Sequence, residues 1–204
     1  PDVTLADLLR ENKAWNDRHA ALIRPAPLRV QSDPEQRPLT VGLLSKNFRR
    51  HPALWLSLPG LEALDPGIVQ LIAYSDINPV NEDDLTDRLR RVCRAWRDIG
   101  HLDDAAVAEQ IRADNVNVLL DMSGHGGSRM LVCAHRAAPV QVKWVGNQFG
   151  TTGVTAMDWF LGDIEEVPAG HERWYVEDVY RMPDAYAVYH PPVNAPAVSP
   201  LPTL

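Results

Sequence analysis

One histidine, His51, stands where an imidazole can do chemistry. It closes the segment Ser45-Lys46-Asn47-Phe48-Arg49-Arg50-His51-Pro52, directly after the apolar run Leu39 to Leu44. An imidazole titrates near neutral pH, donates or accepts a hydrogen bond, and ligates metals. If the run is the first strand of a parallel sheet, the loop after it lies where open parallel sheets take their ligands. Seven histidines occur in the chain, and most of the others are read as surface or capping residues.

Two glycine-rich stretches accompany this loop. One reads Ser123-Gly124-His125-Gly126-Gly127-Ser128, the other Gly146-Asn147-Gln148-Phe149-Gly150-Thr151-Thr152-Gly153. Glycines let backbone amides approach a ligand, and such amides can cradle an anion or a sugar diphosphate. Glycines also build tight turns with no ligand at all. Neither stretch is GxGxxG or GxxxxGK[ST], which disfavours a dinucleotide or ATP site. No Gly-x-Ser-x-Gly elbow occurs, and Ser123 and His125 lie too close in one loop for a nucleophile and its base. The acidic pairs Asp83-Asp84 and Asp103-Asp104 fall at helix starts, where the helix dipole accounts for them. Glycosidase-type acid/base work therefore has no support. Asp158 and Asp163 flank an apolar run and read as structural caps. The tryptophans accompany apolar stripes and read mostly as core, although one at the rim would stack a sugar ring.

The elements that must position these residues alternate. Strands are expected at 39–44, 68–74, 116–122, 140–145 and 159–162. Helices are expected at 4–22, 53–64 (bent at Pro59-Gly60), 82–95, 103–114 and 129–136. Leu85, Leu89, Val92, Cys93 and Trp96 share one helical stripe. Short strands of nearly continuous apolar character belong to parallel sheets covered on both faces. The alternation predicts right-handed crossovers and an α/β fold: a Rossmann-like parallel sheet flanked by helices. Residues 1–38 read as a helix and a Pro-rich connector, 39–182 as the Rossmann-like lobe, and 183–204 as a Pro-rich tail leading to something further on.

Composition narrows the function. The 204 residues carry 45% hydrophobic and 23% charged side chains, ordinary for a globular protein. A net charge of −7 argues against a general nucleic-acid binder, which needs a basic face. The two cysteines, Cys93 and Cys133, form no zinc-like spacing and no disulfide framework. No metal is called for, and a reducing, cytoplasmic compartment is expected. No apolar run approaches the ~20 residues that span a bilayer, so no membrane partner is expected. The start, Pro1-Asp2-Val3-Thr4, has no signal-peptide pattern and no Met, as in a chain cut from a longer one.

Several blocks in order resemble one family. They are Val41-Gly42-Leu43-Leu44-Ser45-x-x-Phe48-x-x-His51-Pro52, Asp84-Leu85-Thr86-x-Arg88, Ala108-x-x-Ile111-x-x-Asp114, and Leu119-Leu120-Asp121-Met122-Ser123-Gly124-His125. The longest is Arg136-Ala137-Ala138-Pro139-Val140-Gln141-Val142-x-Trp144-Val145-Gly146, closed by Gly150-Thr151-Thr152-Gly153 and Met157-Asp158. From about residue 39 to 192 the chain resembles the amino-terminal catalytic lobe of the O-linked N-acetylglucosamine transferase family, SPINDLY-like members included. Asn16-Asp17-Arg18-His19 resembles that family's connector from its helical repeats.

The resemblance implies one lobe of a two-lobed glycosyltransferase of the GT-B type. Such an enzyme moves a sugar from a nucleotide sugar, UDP-N-acetylglucosamine by expectation, to Ser or Thr of a protein, with no cofactor. The second catalytic lobe and the helical repeats would be its partners in the full-length chain. His51 and Pro52 match the family pair that lines the active site, and Val145 and Gly146 match the turn that approaches the donor. Asn47 stands beside them, where the family often has an aspartate. The turn from Gly146 to Thr151 is one residue longer than the family's Gly-Tyr-Pro-Gly-Thr, which implies a changed acceptor side. Two other readings stand beside this one: a non-catalytic protein-binding scaffold of degenerate glycosyltransferase fold, and a flavodoxin-like binder of a small ligand.

Overall fold

The computed structural model describes residues 3–25, 27, 37–127, 129–191 and 195–199. Most of the Pro-rich connector and the end of the Pro-rich tail lie outside the described residues, as does Ser128.

Thr4 starts the first helix, α1 (Leu5–Trp15), through a reciprocal cap. Its hydroxyl accepts from the Asp7 amide, and the Asp7 carboxylate accepts from the Thr4 amide. The coil then widens into one π-helical turn, Asn16–Ala20. Among the described residues seven strands follow: β1 (Leu39–Ser45), β2 (Val69–Ser75), β3 (Cys93–Asp98), β4 (Val118–Asp121), β5 (Val140–Lys143), β6 (Trp159–Gly162) and β7 (Asp178–Arg181). They form one sheet in the order β3-β2-β1-β4-β5-β6-β7, every neighbouring pair parallel. The helices between them are α2 (Pro52–Trp55), α3 (Leu58–Glu62), α4 (Asp84–Val92), α5 (Asp104–Ala113) and α6 (Met130–Ala134).

Each face of the sheet carries its own core. Leu43, Leu71 and Ala73 face a cluster with Phe48, Ala53, Leu54, Leu58, Leu85 and Leu89 from the α2–α4 side. The alternate residues Leu44, Ile72 and Tyr74 face Val107, Ala108 and Ile111 of α5 and Met130, Val132 and Cys133 of α6. Adjacent strand residues pointing to opposite cores explain why the strands read as continuous apolar runs. Each fully buried leucine contributes on the order of 1.5–3 kcal/mol from burial.

Three local expectations need correction, and one strand is unexpected. Helix α4 stops at Val92, and Cys93 to Asp98 form edge strand β3, so Cys93 and Trp96 leave the helical stripe assigned to them. The apolar spacing of Leu85, Leu89 and Val92 continued by coincidence into a segment whose Arg94, Arg97 and Asp98 suit a charged sheet edge. The expected helix 53–64 is two short helices, α2 and α3. Strand β7 was not foreseen; two of its four residues are charged and it too is an edge. The tryptophans meet the core expectation only in part: Trp15, Trp96 and Trp144 are partly buried against the two cores, whereas Trp55 and Trp159 are 45% and 38% exposed.

Candidate functional site

The strand order reverses between β1 and β4: the chain runs outward from β1 through β2 to β3, then returns to the other side of β1. At such a switch point the loops after the two strands part and leave a crevice. Here those loops are Ser45–His51 and Ser123–Gly127, and the turn after β5 is next in line. The register brings them level, with Leu44 opposite Asp121 and Asp121 opposite Lys143.

The first loop is held from both sides. The Ser45 hydroxyl hydrogen-bonds the Ser123 hydroxyl at 2.8 Å and accepts from the Asn47 amide at 2.9 Å. The start of α4 grips the other side. Thr86 Oγ1 donates to the Phe48 carbonyl at 2.6 Å, and the Asp83 carboxylate accepts from the Arg50 amide at 2.6 Å. Asn47 is buried, and Phe48 is 1% exposed within the apolar cluster.

His51 ends this loop as the N-cap of α2, with Pro52, itself exposed, in the first helical turn. Its Nδ1 accepts from the Ala53 amide at 3.2 Å. That bond requires a bare Nδ1, so the neutral ring carries its proton on Nε2. Nε2 has no partner among the described residues. Burial, then the charges of Arg49 and Lys46, hold the His51 pKa below its ordinary value. The residue is therefore a neutral, half-buried imidazole presenting an N–H donor.

The glycine-rich stretches serve their own packing more than a ligand. The Ser123 and Gly124 amides donate to the Asp121 carboxylate at 3.3 and 2.8 Å. Gly124 is left-handed (φ 56°), and a Cβ there would meet Lys143 Cε at 3.0 Å. In the second stretch Glu177, buried, accepts from the Thr151 hydroxyl at 2.6 Å, the Thr152 amide at 2.8 Å, and the Thr152 hydroxyl. Gly153 is left-handed (φ 70°) and lies against α1: a Cβ there would sit 2.4 Å from the Asn12 carbonyl carbon. Asn12 Nδ2 donates to the Thr151 carbonyl at 2.7 Å. His125 shares a 2.7 Å hydrogen bond with the Thr152 carbonyl and packs edge-on against Trp15. Helix α1 is thus part of the rim.

The turn after β5 differs. Val145, Gly146 and Asn147 are consecutive left-handed residues (φ 47°, 50° and 57°), a conformation costly for a β-branched side chain. Val145 is buried in the same apolar cluster as Phe48, Ala53, Leu54 and Met122. Gly146 is obligatory, since a Cβ would stand 2.2 Å from the Met122 carbonyl oxygen. Beneath the turn lies Lys143, 1% exposed, whose Nζ donates to the Val145 and Gly146 carbonyls and stands 3.9 Å from the Asp121 carboxylate.

Sequence reasoning placed His51, Pro52 and Asn47 on one loop and Val145 and Gly146 on another; the fold puts both loops on one sheet edge, packed through a shared cluster. It missed Lys143, Asp121 and Glu177. The signal for Lys143 was a lysine inside the apolar run from Val140 to Val145. Glu177 gave none, because its partners lie 25 or 26 residues away. Asp158 and Asp163 are structural as expected: Asp158 accepts from the Gln141 amide and pairs with Arg136, and Asp163 accepts from the Glu165, Glu166 and Tyr186 amides. Among the described residues no group of three or more His, Cys, Asp or Glu is placed to hold a metal. None of the described helices is long and apolar enough to cross a membrane. A groove of about 710 Å³ lies beside the His51 loop, lined among others by Arg50, Trp55, Arg88 and Tyr189; its two arginines are paired with Asp84 and Glu62.

Comparison with known proteins agrees with this fold. Residues 17–191 match the family described as glycosyl transferase family 41. The chain is 33% identical over 202 residues to a protein of Petunia hybrida named probable UDP-N-acetylglucosamine–peptide N-acetylglucosaminyltransferase SPINDLY, covering 97% of this chain and 21% of that protein. It is 33% identical over 177 residues to the Arabidopsis thaliana protein of the same name, covering 84% of this chain and 19% of that one. A solved structure of a mutant O-GlcNAc transferase from Thermobaculum terrenum superimposes with a TM-score of 0.89 at 35% identity, covering 97% of this chain and 38% of that one. The chain therefore spans about a fifth of the length of these curated relatives.

Proposed function

Since the chain belongs to glycosyl transferase family 41, we propose that it is the amino-terminal catalytic lobe of an inverting protein O-glycosyltransferase of the GT-B type. The observation that carries this reading is the meeting of the His51 loop and the Val145–Asn147 turn beside the switch point of a parallel sheet. The donor is a nucleotide sugar, UDP-N-acetylglucosamine by analogy with the names of the relatives. The acceptor is a Ser or Thr hydroxyl of a protein. The hydroxyl oxygen attacks the anomeric carbon, the bond from that carbon to the diphosphate oxygen breaks, and uridine diphosphate leaves. The configuration inverts, and the hydroxyl proton passes to a base or to water. His51 serves as a hydrogen-bond donor through Nε2, to the diphosphate or the acceptor, because Nδ1 is occupied by the Ala53 amide. No metal or cofactor takes part in this scheme.

Much of the nucleotide contact would come from the second lobe, so this chain alone would not transfer sugar. The test is to incubate the full-length protein, and separately residues 1–204, with UDP-N-acetylglucosamine and a Ser/Thr-rich protein and read the adduct by mass spectrometry. The full-length protein should add one sugar mass per modified hydroxyl and the isolated chain none. Robust transfer by the isolated chain would refute the half-cleft account.

One observation favours a second reading. Asn47 offers a neutral amide where the resembling family often has a carboxylate, which fits a lobe that holds a protein partner without chemistry. That reading predicts partner binding by the full-length protein with no transfer from any nucleotide sugar.

A further inference from the structure

Lys143 is nearly fully buried, yet it has no part in the chemistry above. Its surroundings define its task. The aliphatic stem runs under Gly124, and the ammonium donates to the carbonyls of Val145 and Gly146. Asp121, level with it on β4, supplies the compensating charge at 3.9 Å and gathers the Ser123 and Gly124 amides. One cation therefore ties the end of β4 to the turn after β5.

The turn needs such a tie. Three successive left-handed residues, one of them valine, do not hold themselves. In a planar trans peptide the N–H points opposite to the C=O. With the Val145 and Gly146 carbonyls drawn onto Nζ, the amides of Gly146 and Asn147 point away from Lys143. Neither amide has a hydrogen-bond partner among the described residues. Successive amides turned to one side form a concavity for an acceptor oxygen, and a cation on their carbonyl side sharpens their polarity.

We propose that Lys143 is a positioning residue of the donor site. It locks the Val145–Asn147 turn so that the Gly146 and Asn147 amides present to an oxygen of the nucleotide-sugar donor. This rests on the glycosyl-transfer reading and adds a residue to it. Lys143 touches no reacting atom; it acts through the turn.

The experiment compares the full-length wild type with Lys143→Met, which keeps the stem and removes the ammonium. Removing one partner of a buried ion pair is destabilising, because Asp121 stays buried without its counter-charge, so both proteins are assayed well below the variant's melting transition. The expected result is a rise of about tenfold in KM for UDP-N-acetylglucosamine, from the loss of well-aimed amide hydrogen bonds. KM for the acceptor protein should hold, while the melting temperature falls, because the buried Asp121 carboxylate and the two turn carbonyls lose their partner. A folded Lys143→Met with unchanged donor KM overturns the proposal. So does an equal rise in donor and acceptor KM, which marks a general structural role. A wild type that neither binds nor transfers a nucleotide sugar sinks the glycosyl-transfer reading itself, a different failure visible before any variant is made. Should Lys143→Met fail to fold, the wild-type complex with UDP-N-acetylglucosamine decides. Gly146 and Asn147 amides within hydrogen-bond distance of a donor oxygen support the role, and amides facing empty solvent overturn it.

Discussion

The hydroxyls of Ser45 and Ser123 hydrogen-bond at 2.8 Å across the switch point, joining the end of β1 to the start of the loop after β4. Both side chains are buried, and the Ser45 oxygen also accepts from the Asn47 amide. This hydrogen bond links the loop that carries His51 directly to the loop that wraps Lys143. Ser45→Ala should cost about 1–3 kcal/mol, because it leaves the Asn47 amide and the Ser123 hydroxyl without their partner. A double-mutant cycle with Ser123→Ala in chemical denaturation should return a coupling of about 0.5 kcal/mol or more. Strict additivity would mean that the two loops are set independently.

The state of His51 makes a pH prediction. Its folded pKa lies below the ordinary 6.5, chiefly through burial. A depressed pKa means that the stabilising contribution of the neutral ring is complete above the unfolded value and is lost as pH falls through the folded one. Protonation also places a hydrogen on Nδ1 and breaks the cap on the Ala53 amide. The ring should titrate by NMR with a midpoint under 6.5, and denaturant stability should fall across the same interval. A midpoint above 6.5 would show the ring paired with a negative charge instead.

Gly153 tests the joint between α1 and the rim. Alanine there meets the Asn12 backbone at 2.4 Å in a left-handed conformation. Gly153→Ala should lose more than about 2 kcal/mol, of which left-handed strain alone is 1–2. Asn12→Ala, which removes one hydrogen bond to the Thr151 carbonyl, should lose only about 1 kcal/mol. Equal effects would show that the close approach of the two backbones is unimportant.

The cysteines should be inert in the native protein. Cys133 is fully buried and its thiol is raised by desolvation; Cys93, on β3, is pushed up to about 12 for the same reason. Thiol reagents act on the thiolate. Labelling at pH 8 should be slow for both and become fast only in denaturant. Rapid native labelling of Cys93 would mean that the β3 edge opens.

Much of this architecture was legible because its signals are local. The runs at β1, β2 and β5 announce buried parallel strands, and Thr4, Asp83 and Asp103 announce helix starts; each caps the predicted helix. What escaped depended on contacts distant in sequence. Strand β3 hid behind a helical period that ran on past Val92. The glycines at 124 and 153 were equally readable as ligand cradles, and only the Lys143 stem and the Asn12 backbone reveal them as sites of close packing. His51 was legible by position, but the tautomer that makes it a donor depends on the Ala53 amide folding back onto Nδ1.

The central claim is that the imidazole at the end of the β1 loop works on a sugar donor or its acceptor through an N–H. Kinetics of His51→Ala in the full-length protein, with its melting temperature, test this most directly. The cap that His51 provides is worth about 1 kcal/mol, so the fold should survive. Sugar transfer to protein should fall by about 10²-fold or more in kcat/KM, the scale of losing one aimed donor. A folded variant that transfers sugar at the wild-type rate would contradict the account.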